Sequence, residues 1–258
     1  MLQHLDTLWP GGNSFKVVHL YSHWPLTISS SPSPVVISWW PGNTELRQAL
    51  RLPLPLAAAL LVCLPVFVQA PWVRLSPQTA TLFTAVLIAF GVRLKSPWGS
   101  LLVGFSGSWL AGCLFWGWLR LHPLWHLPVE AFALPLAVAG LWGPWRRAGQ
   151  FYLGALLGTA CTDAATALCG LMPLWPEVLQ AEPGQAAQLL AEAAARVLEP
   201  SHLATVAAFA LAMLLAAAWL WRRGQGSRLV AATLLSTLVV DAIFLILALF
   251  SPQLSGLV

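Results

Sequence analysis

Apolar stretches about 20 residues long dominate the sequence, and this is the length that an α-helix needs to cross the hydrocarbon core of a bilayer. Only 9% of the 258 residues are charged, compared with roughly 25% in soluble domains. The sequence therefore predicts an all-α, polytopic bundle of transmembrane helices. Seven spans are predicted, at Pro53–Trp72, Gln78–Val92, Trp98–Leu119, Leu124–Gly143, Phe151–Trp175, His202–Trp221 and Leu229–Phe250.

The segments outside these spans divide the chain further. Residues 1–50 are rich in Ser, Pro, Gly and His, which predicts either a loosely ordered arm or an over-extended start of the chain. Residues 51–251 form the predicted transmembrane domain, and 252–258 a short tail. Residues 176–200 combine four glutamates with apolar residues at helical spacing, which indicates an amphipathic helix on the external surface rather than an eighth span.

The basic residues predict the orientation of the bundle. With the N-terminus in the cytoplasm, ten of the thirteen Lys and Arg residues lie on the cytoplasmic side. Arg74, Arg120 and Arg196 then lie outside. The positive-inside rule therefore favours an N-in, C-out arrangement. Because the basic residues are few and dispersed, nucleic acid is not an expected partner, whereas the lipid bilayer is.

Asp163 and Asp241 are carboxylates within predicted spans, where an ionisable group is costly and needs a polar partner, another acid or water. Each lies about 12 residues from the start of its helix, so both are expected near the membrane midplane. Thr159 and Thr237 each precede an Asp by one turn and could donate a hydrogen bond to it. The acids could therefore handle protons or ions, bind a ligand, or act only as hydrogen-bonded packing groups.

His122, His126 and Glu130 follow one another at intervals of four residues, which places them on one face of a helix. Histidine and carboxylate at this spacing could bind a metal, a chlorophyll magnesium or a haem iron. Pro123 and Pro128 interrupt the helical pattern, however, so interfacial histidines with a paired Glu130 are the alternative. No strong metal-binding motif is present, and no metal site is predicted.

Trp109 is the one tryptophan expected deep in a span, and it could stack on a pigment or quinone or pack against small neighbours. Small residues recur at four-residue spacing in the same span, at Gly104, Ser108 and Gly112, and in the fifth span at Gly154 and Gly158. This spacing allows helices to approach closely. The third and fifth spans are therefore predicted to be central.

Four segments carry a family resemblance: Ala70–Pro77, Gly104–Gly112, Trp116–Glu130 and Tyr152–Asp163. They resemble an uncharacterised, Trp-rich family of cyanobacterial integral membrane proteins, a domain-of-unknown-function family, over about residues 50–250. The resemblance implies a multi-pass protein in the thylakoid or plasma membrane of an oxygenic phototroph. It supplies no activity and no site residues.

Three functions are compatible with these features. The first is a non-enzymatic scaffold or assembly factor for photosynthetic membrane complexes, with a pigment or quinone as a conceivable cofactor. The second is a small proton- or ion-coupled transporter that uses Asp163, Asp241 and Glu130. The third is an intramembrane enzyme acting on a lipid or prenyl substrate, with His126 and Glu130 as acid–base groups.

Overall fold

The computed structural model describes residues 53–94 and 97–254. The predicted N-terminal arm and most of the predicted tail lie outside these residues. The described residues contain helices and no strands, which confirms the all-α class. In chain order the helices are α1 (Leu54–Leu64), α2 (Ala70–Leu75), α3 (Pro77–Arg93), α4 (Trp98–Leu114), α5 (His126–Glu130), α6 (Leu134–Gly140), α7 (Arg146–Leu168), α8 (Leu174–Gln180), α9 (Pro183–Val197), α10 (Pro200–Arg222) and α11 (Gln225–Phe250).

Helices long and apolar enough to cross a membrane are found at five places in the described chain: Leu54–Leu75, Trp98–Leu119, Arg146–Leu168, Pro200–Arg222 and Gln225–Phe250. The first two include a π-helical turn, at Pro65–Gln69 and Phe115–Leu119 respectively. The predicted second span corresponds to α3, which has 17 residues. The count of seven spans and the N-in, C-out orientation stay predictions.

The predicted fourth span is not a continuous helix. A 3₁₀ turn at Pro123–Trp125 leads into α5, and a turn separates α5 from α6. Proline removes a backbone donor and clashes with the preceding turn, so Pro123, Pro128 and Pro135 together keep this segment in short pieces.

The predicted fifth span ends earlier than expected, at Leu168 instead of Trp175. Gly170 has a φ of +65°, its N–H donates to the carbonyl of Ala167, and the N–H of Leu171 donates to that of Thr166. These two bonds form a Schellman motif, which terminates a helix at a residue in the left-handed conformation. The predicted external helix likewise consists of two helices, α8 and α9.

Helix α7 is central, because it packs against α4, α6, α10 and α11. Its glycines make the close contacts that their spacing predicts. A Cβ atom added at Gly154 would lie 2.1 Å from Thr233 Oγ1, and one at Gly158 would lie 2.6 Å from Thr237 Oγ1. Both partners belong to α11. The two helices are therefore parallel and in close contact along this face.

Gln69 lies in the π-helical turn of the first long helix and is buried against α4. Its amide nitrogen donates to the carbonyl of Trp109 and lies 3.0 Å from Cys113 Sγ. Gly112 provides the space, since a Cβ there would lie 2.6 Å from Gln69 Oε1. This side chain joins the two π-containing helices through hydrogen bonds.

Gln69→Leu is expected to lower the free energy of unfolding by about 1–2 kcal/mol, because both hydrogen bonds are lost within the membrane. Unfolding in mixed detergent micelles measures the difference. Thr84→Val is the matched control, since the buried Thr84 hydroxyl has no hydrogen-bond partner among the described residues. It should leave stability unchanged or slightly raised. An unchanged Gln69→Leu variant would contradict the stabilising role.

Candidate intramembrane site

A cavity of about 400 Å³ lies within the bundle, and we call it the central cavity. The first long helix, α4, α5, α7 and α11 all contribute side chains to its wall. Most of the lining is apolar or aromatic, including Phe105, Phe115, Trp116, Trp175 and Phe244. Its polar side chains are Gln69, Ser108, His126, Glu130, Thr159, Thr162, Asp163, Thr166, Thr237 and Asp241.

His126 and Asp163 form the best-defined polar pair of the cavity. His126 Nδ1 lies 2.9 Å from Asp163 Oδ1 and 3.0 Å from Oδ2. When this carboxylate is ionised it only accepts hydrogen bonds, and Nδ1 is then the donor. Nε2 has no hydrogen-bond partner among the described residues. The imidazole therefore has one nitrogen fixed by Asp163 and the other left for a bound molecule.

Asp241 is held from the neighbouring helix. Thr162 Oγ1 donates to Asp241 Oδ2 over 2.6 Å. Thr162 and Asp241 are 79 residues apart in the sequence. The two residues of the Gly154–Thr233 contact and of the Gly158–Thr237 contact have the same separation. The same helix–helix register thus brings α7 and α11 together and places Asp241 beside Asp163.

Glu130 is the last residue of α5 and also lines the central cavity. No hydrogen bond to its carboxyl group is formed within the described residues. Its main chain is fixed by Tyr152, whose hydroxyl donates to the Glu130 carbonyl and accepts the N–H of Ala133 over 3.1 Å. Tyr152 therefore anchors the turn between α5 and α6, which leaves the Glu130 carboxyl group at the cavity wall.

The charges of the central cavity are unbalanced. Among the described residues its lining includes three carboxyl groups and one imidazole, but neither Lys nor Arg. Three ionised carboxylates in a medium of low dielectric constant repel one another, and His126 can neutralise only one. The remaining negative charge requires bound protons or a bound cation.

The structure places most of the predicted polar residues at this cavity, namely Asp163, Asp241, Glu130, His126, Thr159 and Thr237. His122 does not line it and is exposed in the turn before α5. Among the described residues no group of three His, Cys, Asp or Glu side chains is arranged to hold a metal ion.

Trp109 lies in the hydrophobic core and does not line the central cavity. It is 2% exposed, and its indole nitrogen donates to the carbonyl of Ala80 over 2.9 Å. The rings of Trp72, Phe83 and Phe105 lie within 6.0 Å of it. Packing accounts for its position.

The predicted hydrogen bonds of the two aspartates were wrong. Thr237 donates to the Thr233 carbonyl over 3.1 Å instead of to Asp241, and Asp163 is bonded to His126 instead of Thr159. Thr162 was missed, although its four-residue spacing from Gly158 continues the small-residue face of α7.

No curated protein and no solved structure matches the chain. The model of one family, described as a protein of unknown function (DUF3120), matches residues 58–249. The resemblance to a domain-of-unknown-function family is thereby confirmed, and the chain belongs to the DUF3120 family.

Proposed function

We propose that the protein is a small proton-coupled transporter whose substrate, a small cation, binds in the central cavity. The observation that carries the proposal is the convergence of Asp163, Asp241, Glu130 and His126 on one cavity whose described lining residues include neither Lys nor Arg. Such a site has a higher affinity for cations and protons than for anions. Aromatic side chains around it, such as Trp116 and Trp175, add cation–π attraction for organic cations.

The hydrogen bonding of the acids supports a functional role over a purely structural one. A packing carboxyl group in a membrane bonds to a neighbouring helix and is sealed from open space. Asp163 and Asp241 do make such bonds, but both also face the cavity, and Glu130 makes none within the described residues. A carboxyl group without a partner in an apolar bundle is explained by a proton or ligand that it binds.

Departures from regular α-helix beside the cavity support transport further. Pro65 and Gln69 of one π-helical turn line the cavity, and so do Pro123, His126 and Glu130 of the interrupted segment. Non-helical backbone at membrane depth is tolerated where it lines a cavity, and discontinuous helices commonly form the substrate sites of secondary transporters.

Coupling follows from competition for the same carboxylates. A cation that enters the cavity replaces protons on Asp163, Asp241 or Glu130, and protons that return release it. Exchange of a cation for protons needs only that the cavity, whether it holds the cation or the protons, opens to one side of the membrane at a time. The charge composition of the cavity therefore favours antiport.

Reconstituted protein in liposomes with an acidic, pyranine-loaded interior tests the proposal. Addition of Na⁺, K⁺, guanidinium or tetramethylammonium outside is expected to alkalinise the interior for at least one of these cations. Asp241→Asn should reduce the rate about 10- to 100-fold, because a hydrogen bond to a charged group contributes about 1.5–3 kcal/mol. Wild-type protein that responds to none of these cations, or an Asp241→Asn variant with the wild-type rate, would contradict it.

The hydrogen bonding of His126 favours an intramembrane enzyme as the second candidate function. A carboxylate that fixes Nδ1 and leaves Nε2 available is the arrangement of histidine general bases, and the apolar walls suit a prenyl or acyl chain. Glu130 would be the second acid–base group. Unchanged membrane lipid profiles in cells that carry His126→Gln or Glu130→Gln would count against this function.

A scaffold or assembly factor, the first of the three functions compatible with the sequence, makes a different prediction. A scaffold requires partner proteins, and this role does not explain the open central cavity. Copurification of pigment or photosystem subunits would favour a scaffold over transport. The Asp163→Asn and Asp241→Asn variants should then copurify with the same partners as the wild type.

A further inference from the structure

A second cavity, of about 920 Å³, lies between α1, α7 and α11 at the end of the bundle where α7 and α11 begin, and we call it the basic cavity. Arg146, Arg147 and Arg228 line it together with Gln150 and Gln225. Among the described residues its lining contains neither Asp nor Glu. The guanidinium groups of Arg146 and Arg228 make the mouth of this cavity cationic.

The guanidinium groups of Arg146 and Arg228 are positioned for a ligand. Arg228 Nε donates to the Trp221 carbonyl over 3.1 Å, which fixes the side chain at the cavity mouth and leaves its terminal N–H groups free of protein acceptors in the described residues. Arg146 is in the first turn of α7 and is exposed. Because two helices start here, the positive ends of their dipoles add to the arginine charge.

The rest of the wall is mostly apolar and runs away from the arginines along α1 and α11. On α11 it includes Leu229, Leu235 and Val239, and on α1 it includes Leu56 and Ala59. From Arg228 to Val239 the helix rises by about 16 Å, roughly half of the hydrocarbon thickness. The cavity thus has a cationic mouth that continues into a groove long enough for an acyl chain.

We propose that the basic cavity binds an anionic membrane lipid, with the phosphate or sulfonate headgroup on Arg146 and Arg228 and one acyl chain in the groove. Charge selects the headgroup, since phosphate oxygens can accept two parallel hydrogen bonds from the N–H groups of one arginine. The apolar wall favours a lipid over a soluble phosphate, because a free anion would leave the groove uncovered. The proposal is independent of the function of the central cavity.

Nanodiscs with equal amounts of phosphatidylglycerol and phosphatidylcholine test this assignment, with bound lipid measured by native mass spectrometry after gentle release. Wild-type protein should retain phosphatidylglycerol preferentially. In the Arg146→Gln/Arg228→Gln variant the ratio of retained phosphatidylglycerol to phosphatidylcholine should fall about thirtyfold, from the loss of two basic residues near the headgroups.

Three comparisons make the outcome decisive. Arg222→Gln removes a charge at the same end of the bundle without touching the cavity, so it should keep the wild-type ratio. Arg146→Lys/Arg228→Lys keeps the charge and should retain most of the preference. Glycerol phosphate, added to protein in neutral detergent, should not raise thermal stability where phosphatidylglycerol does.

A wild-type ratio near one, an unchanged ratio in the double Gln variant, or equal stabilisation by glycerol phosphate would overturn the proposal. If the double Gln variant fails to fold, the Lys variant and the glycerol phosphate measurement still decide between these outcomes.

Discussion

Asp163→Asn is expected to abolish cation-driven proton flux while the protein still folds. The amide matches the carboxylate in shape but cannot release a proton, and it removes the negative charge that faces His126 Nδ1 over 2.9 Å. The histidine then loses its charged acceptor, and the cavity loses one of its three acids. Flux in pyranine-loaded liposomes should fall to the level of protein-free vesicles.

Glu199→Gln is the matched control for this substitution. Glu199 also faces a histidine, with Oε2 3.5 Å from His202 Nδ1, but the pair is more exposed and does not line the central cavity. Its variant should transport at the wild-type rate. If Asp163→Asn transports normally, or if both variants lose flux equally, the carboxylate of Asp163 has no specific role in coupling.

Gly104→Val is expected to destabilise the protein strongly. A Cβ at this position would lie 2.5 Å from the carbonyl oxygen and 2.8 Å from the Cα of Ala148, so α4 and α7 would have to separate. Backbone atoms cannot rotate away as a side chain can, and α7 is the helix on which the central cavity is built. We expect a loss of about 3 kcal/mol or more, measured by unfolding in mixed micelles.

Gly184→Ala provides the comparison, because a Cβ at Gly184 meets nothing within 4 Å and alanine favours the helix there. This variant should be as stable as the wild type or slightly more stable. Wild-type stability of Gly104→Val would show that the α4–α7 contact can adjust, which would contradict the expected close backbone packing.

The long helices could be predicted from the sequence because spans in a bilayer are apolar on nearly every side. The interrupted fourth segment was harder, since hydropathy does not distinguish one helix from two short helices of equal composition. The prolines indicated where a break was possible, and the distant hydroxyl of Tyr152 fixes the backbone of the turn that forms there. A contact of this kind between separate segments leaves no local pattern in the sequence.

The acids of the site were predictable for the opposite reason. Asp163, Asp241 and Glu130 stand out because each interrupts an apolar run, and all three line the same cavity. Their hydrogen-bond partners were not predictable from spacing. Thr159 and Thr162 lie one turn apart on α7 and both line the central cavity, but only Thr162 is in the register that meets Asp241 of α11. The partner of Asp163 lies 37 residues away.

The shared register of α7 and α11 limits how this site can change during evolution. The Gly154–Thr233 and Gly158–Thr237 contacts that join the helices continue directly into the Thr162–Asp241 pair. A larger residue at either glycine would shift the acids as well as weaken the fold. New ligand preferences at the proposed site would therefore arise through α1, where Leu61 and Val62 line the cavity without contributing charge.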